Sequence, residues 1–153
     1  IACALFRGYQ KERGYQMALE LNRTSRDYLY GRLLAIAENI EDRALYVGGE
    51  KRDTSAAKLM QRFADHPFST WKTIELSLSP YKTRLRSKRP AFLATMESQL
   101  DEVINLFQTN DFMEDKKLSG EFLLGYHCQR QTLRTKHETE QTENVEIDIT
   151  EIN

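Results

Sequence analysis

The hydrophobic pattern is clearest between Thr24 and Val47, where Leu29, Leu33, Ile36, Ile40 and Ala44 recur at steps of three or four. That spacing gathers them on one side of an α-helix and leaves Arg26, Asp27, Arg32, Glu41 and Asp42 to face elsewhere. Thr24 and Asp27 have the spacing of a capping box, with Asp in place of the longer Glu. Gly48-Gly49 supplies the stop, because glycine accepts the left-handed cap conformation. This is the longest amphipathic run, so the other elements are expected to pack against it.

Residues 1–21 also read as helical, with Leu5, Tyr9, Met17 and Leu21 as packing positions, although Gly8 and Gly14 weaken the run. The first ten residues read equally well as a separate turn or a frayed end. Asp53 or Thr54 can cap a helix from Ser55 to Ala64 whose apolar side is Ala56, Leu59, Met60 and Phe63. Pro67 suits the first turn of the next helix, which draws its apolar mass from Phe68, Trp71, Ile74, Leu76 and Leu78. Pro80 and Pro90 mark boundaries, and the residues between them fit either a short helix or a loop. Ala91 to Phe107 is strongly patterned, with Phe92, Leu93, Met96, Leu100, Val103, Ile104 and Phe107 forming a broad stripe. Ser119 is a cap candidate for a last helix from Gly120 to about Leu133, packed through Phe122, Leu123, Tyr126 and Leu133. Gly125 costs that helix roughly 1 kcal/mol relative to Ala at an exposed interior position, and is better tolerated if another helix crosses closely there. From Lys136 onward the chain is polar. Val145 to Ile152 alternates like an amphipathic strand but has no obvious partner, so a flexible tail is preferred. The expected fold is all-α: a compact bundle of about five main helices with antiparallel neighbours over residues 1–137, followed by an acidic flexible tail, 138–153.

Composition adds one thing to this picture. The 153 residues suit a single domain, and the formal net charge of -1 conceals an asymmetry. Residues 1–100 carry 17 Lys/Arg against 11 Asp/Glu, whereas 101–153 carry 5 against 12. A basic body with an acidic tail is compatible with nucleic acid, and also with an ordinary solvated surface.

Catalytic chemistry is not visible. There is no glycine-rich phosphate loop. His66, His127 and His137 form no metal-ligand pattern with Cys3 and Cys128, and two well-separated cysteines are weak grounds for a disulfide. Adjacency alone does not make His127 and Cys128 a catalytic pair. Glu38, Glu41 and Asp42 lie within one helical turn, where acids commonly just solvate a helix exterior. The chain is therefore expected to be no enzyme, with no catalytic residue, metal or cofactor. No apolar run approaches about 18 residues, so no membrane span is expected, and a cytoplasmic protein is the expectation.

The bases say more. Lys82, Arg84, Arg86, Lys88 and Arg89 fall within eight positions and are the first candidates for phosphate contact. Arg23, Arg26, Lys51, Arg52, Lys58 and Arg62 extend that patch if their helix ends meet in space. The competing reading is a solvent-exposed basic surface on a protein-binding helical module. Trp71 and Tyr81 are possible base-stacking residues, although Trp71 fits the core better.

Two stretches carry a resemblance: Tyr28-Leu29-Tyr30-Gly31-Arg32-Leu33-Leu34-Ala35 and Gly125-Tyr126-His127-Cys128-Gln129-Arg130-Gln131. In this order and separation they resemble the C-terminal helical region of the large subunit of the subtype I-C CRISPR Cascade complex, a region that is also made as a separate small subunit. The resemblance covers about residues 22–134. It implies a non-catalytic subunit that packs with copies of itself and with other Cascade subunits in a crRNA-containing complex and helps to hold DNA in the R-loop. Cleavage would belong to a recruited helicase-nuclease. Gly31, Arg32, Gly125, Tyr126, Gln129, Arg130 and Gln131 are then packing or subunit-interface residues. Gly31 would permit close helix packing, while Arg32 would bind phosphate, cap a helix or pair with a carboxylate. The alternatives are a scaffolding module within the complex that touches no DNA, and a stand-alone helical regulator.

Overall fold

One helix runs through the middle of the molecule. In the computed structural model, which describes residues 18–150 with side chains to Lys136, α1 spans Arg26–Val47, and every residue from Tyr28 to Ala37 is buried. A helix buried all round has partners on every side. These are α2 (Ser55–Asp65), α3 (Pro67–Ser77), α4 (Ser79–Lys88), α5 (Pro90–Leu106) and α6 (Glu121–Thr150). The fold is an all-helical bundle, with no strand among the described residues.

The local signals act much as the sequence implies. Ser25 replaces Thr24 at the N-cap of α1, and the capping box does not form: the Asp27 carboxylate instead accepts the Ser119 N–H at 2.7 Å. At the other end Gly49 takes φ +70°, and the N–H groups of Gly49 and Glu50 bond the carbonyls of Tyr46 and Leu45. This is the Schellman stop, which needs a residue that tolerates the left-handed region. Thr54 caps α2 by accepting the Ala57 N–H. Pro67, Pro80 and Pro90 each sit in the first turn of a helix, and the basic block is helical as far as Lys88, with Arg89 as the cap residue.

The core gathers Trp71, Phe63, Phe122, Leu29, Leu33, Ile36 and Ile40 around α1. Tyr30, Phe107 and Phe112 pack ring against ring, with centroids 5.0–5.8 Å apart, where α1 meets α5 and a 3-10 turn, Asp111–Met113.

Several expectations change. Glu41, read as an acid on the helix exterior, is buried, as is Arg32 off the main apolar stripe, because α1 has no solvent side where they lie. Glu41 accepts the Ser55 N–H at 2.8 Å, placing its negative charge at the start of α2. Leu21 and Leu76 are exposed, and Ala18–Ser25 is not helical; the rest of the helix expected over 1–21, with Cys3, lies outside the described residues. Helix α6 runs beside α1 in the same direction, not antiparallel: Ser25 meets Glu121, Tyr28 meets Gly125 and Arg32 meets Gln129. It continues past Leu133 to Thr150, so Val145 to Thr150 has helical rather than strand backbone; side chains from His137 on lie outside the described residues.

Candidate nucleic-acid interface

The two motif stretches face each other. A Cβ on Gly31 would stand 2.0 Å from the Phe122 carbonyl oxygen, and one on Gly125 2.1 Å from the Tyr28 carbonyl oxygen. Both obstacles are backbone, so neither helix can yield without separating from the other. Each glycine lets the partner backbone approach, which is why α6 tolerates a poor helix former.

Polar groups along this seam are matched mostly to one another. The Arg32 Nε donates to Gln129 Oε1 at 2.9 Å inside the bundle, while Arg32 Nη1 has no hydrogen-bond partner among the described residues. Burial lowers the Arg32 pKa, because charge is less stable away from water. The Tyr126 hydroxyl donates to Glu38 at 2.5 Å, and Arg130 lies 3.7 Å from the same carboxylate. Burial, reinforced by that carboxylate, pushes the Tyr126 phenol up. Cys128 is buried and its thiol is likewise raised by burial, which disfavours the thiolate a nucleophile requires. Gln131 is exposed. Among the described residues no group of three or more His, Cys, Asp and Glu could hold a metal ion, and no helix is long and apolar enough to cross a membrane.

The eleven candidate cations do not form one patch. Arg23 and Arg26 lie at the start of α1, roughly 30 Å from its end at 1.5 Å per residue. Arg26 donates to the carbonyls of Asp111, Glu114 and Lys116 and pairs with Asp27. Arg23 pairs with Glu20 and Glu121. These two fasten the 111–121 connection to the bundle. Lys58 and Arg62 are exposed on α2.

Of the remaining seven, Arg84, Arg52, Lys51 and Arg89 meet near the end of α1. Arg84 bonds Glu50 at 2.7 Å and the Ala44 carbonyl at 2.9 Å. Arg52 pairs with the same Glu50 and also donates to the Tyr81 hydroxyl. Hydrogen bonds from Arg84 and Arg52 hold the Glu50 carboxyl below the usual range, so it remains an anion between two cations. Lys82 and Arg86 share Glu97. Lys51, Lys88 and Arg89 are exposed and have no ion-pair partner among the described residues. Lys51 and Arg89, from different elements, border one open depression of about 510 Å³, together with Arg43, Arg52, Asp42, Glu50 and Tyr46. Four cations against two acids, one of them doubly paired, leave its surface positive.

Sequence reasoning missed Arg43 and Tyr46 at this place. Tyr46 is 75% exposed; its only signal was an aromatic residue off the apolar spacing of α1. Trp71 is core and Tyr81 is half-buried beneath Arg52.

A family model described as CRISPR-associated protein (Cas_Csd1) matches residues 1–134. The match takes in the first 21 residues, which the two motif stretches leave out, and ends before the acidic segment. A comparison with curated proteins finds no match. With most of its length matched, the chain belongs to the Cas_Csd1 family of CRISPR-associated proteins, a family of the type I-C Cascade.

Proposed function

We propose that the chain is a non-catalytic small-subunit module of the type I-C surveillance complex, and that the basic end of α1 steadies a DNA strand of the R-loop through its phosphates. The observation that carries this reading is the meeting of Lys51 and Arg89 with Arg43 and Arg52 around one depression. Lys and Arg contacts to phosphate position a strand without reading it. Sequence recognition in such a complex belongs to guide pairing. The body, residues 1–137, does this work in the cytoplasm, beside other Cascade subunits and copies of the same chain.

Replacing Lys51, Lys88 and Arg89 together by Ala should weaken DNA binding by the assembled complex to a similar degree for unrelated sequences. The salt dependence should flatten by about 0.7–0.9 in log–log slope for each phosphate no longer neutralised. Unchanged affinity and slope would reject the assignment. The second reading, a scaffold without DNA contact, draws support from Leu76 and Met113, which are exposed as apolar contact points for a protein partner. It predicts that the same triple variant loses subunits and keeps DNA affinity per assembled particle.

A further inference from the structure

Tyr46 stands apart from the other tyrosines of α1. Tyr28 and Tyr30 are fully buried, whereas Tyr46, in the last turn, is three-quarters exposed. Among the described residues its ring meets no other ring or cation in stacking distance and its hydroxyl has no hydrogen-bond partner. A single exposed aromatic residue is ordinary on its own. This one borders a depression that also carries Arg43, Lys51, Arg52 and Arg89. Glu50, one of the two acids there, is already held by Arg52 and Arg84. An open aromatic face beside the exposed Lys51 and Arg89 is the arrangement that binds an unpaired nucleotide: the ring stacks on the base and the cations hold the flanking phosphates.

We infer that Tyr46 is a base-stacking platform, and that the depression at the end of α1 takes an unpaired nucleotide of a single strand, with Lys51 and Arg89 on its phosphates. This deepens the phosphate-contact reading and rests on it. It adds selectivity: a base inside a duplex is already stacked on both faces and offers none to Tyr46, so the site should prefer single strands to duplex of the same length. It adds no preference for sequence, because every base has a π-face.

The test uses the 153-residue chain, an oligothymidylate single strand and a blunt duplex of equal length. Tyr46→Ala should weaken single-strand binding about 5- to 150-fold, the range that removal of a base–aromatic stack implies, with duplex binding and salt slope unchanged. Tyr46→Trp should keep single-strand affinity, and its indole fluorescence should be quenched by the single strand and not by the duplex; Trp71, buried in the core, gives a constant background. The double variant Lys51→Ala/Arg89→Ala should weaken both ligands and flatten the salt slope. Parental single-strand binding by Tyr46→Ala, with the double variant weakened, would overturn the stacking inference and leave the phosphate reading standing. Parental binding by both variants would overturn the two together. Loss of subunit association by Tyr46→Ala with single-strand affinity intact would make the ring a protein contact and overturn the inference. All three residues are exposed, so these substitutions leave the core untouched.

Discussion

At the start of α1, Arg26 directs its guanidinium to three backbone carbonyls and a carboxylate; at the end of the same helix, Lys51 and Arg89 face solvent around an open depression. The two regions look alike in a charge count and differ in what the charge is for. The first closes hydrogen bonds that a folded connection would otherwise leave unmade. The second keeps its donors available. Between them runs the α1–α6 seam, where Gly31 and Gly125 let the two helices pack backbone on backbone.

The largest effects are expected at the seam. Gly31→Ala or Gly125→Ala should cost about 3 kcal/mol or more, because overpacking against backbone has no flexible atom to move. Urea unfolding should show this as a lower midpoint; a parental midpoint would mean that the helices do not touch there. Next in size is Gln129→Leu, which removes the hydrogen-bond partner of the buried Arg32 and should cost about 2–3 kcal/mol. Adding Arg32→Met should recover most of that loss, since the double variant buries neither charge nor orphan donor. If the recovery fails, Arg32 has a further role.

Arg26→Ala separates the two ends. It should lower stability by about 1–2 kcal/mol by releasing the carbonyls it bonds, with the salt slope of DNA binding unchanged. Lys51→Ala/Arg89→Ala should do the reverse, leaving stability within about 0.5 kcal/mol of the parent while DNA affinity falls. A stability loss from the second pair or a slope change from the first would erase the distinction.

The smallest effect concerns pH. Burial raises the Tyr30 phenol above its usual 10, so the folded state favours its neutral form. That contribution is complete below about pH 10 and is lost as pH rises through the raised value. Thermal midpoints between about pH 9 and about pH 11.5 should fall more steeply for the parent than for Tyr30→Phe.

Much of this was legible in the sequence, and the exceptions share a cause. Gly125 pointed to a close crossing because a glycine inside an otherwise good helix costs stability without another purpose. Proline and glycine punctuation located the helices, whereas of the basic block 82–89 only Arg89 borders the depression. Glu41 was misplaced because periodicity assigns a residue to a helix face, not to solvent; with helices on every side of α1, the face opposite its main stripe is also interior. Leu76 was placed with the apolar mass of α3 although, between the buried Ile74 and Leu78, its own side chain is exposed. Which cations are committed was beyond sequence reading, since the acceptors lie far along the chain: Arg84 meets Glu50 across 34 positions and Arg26 meets carbonyls 85 to 90 positions away. Tyr46 could be singled out only once folding brought Arg89 to the same depression.

If the basic end of α1 lies against nucleic acid in the assembled complex, a photoreactive side chain placed at position 51 or 89 must lie within reach of a strand. Irradiating the intact DNA-loaded particle should then give adducts to DNA at both positions. Adducts to protein subunits alone, with no DNA captured at either position, would contradict the DNA role of this surface.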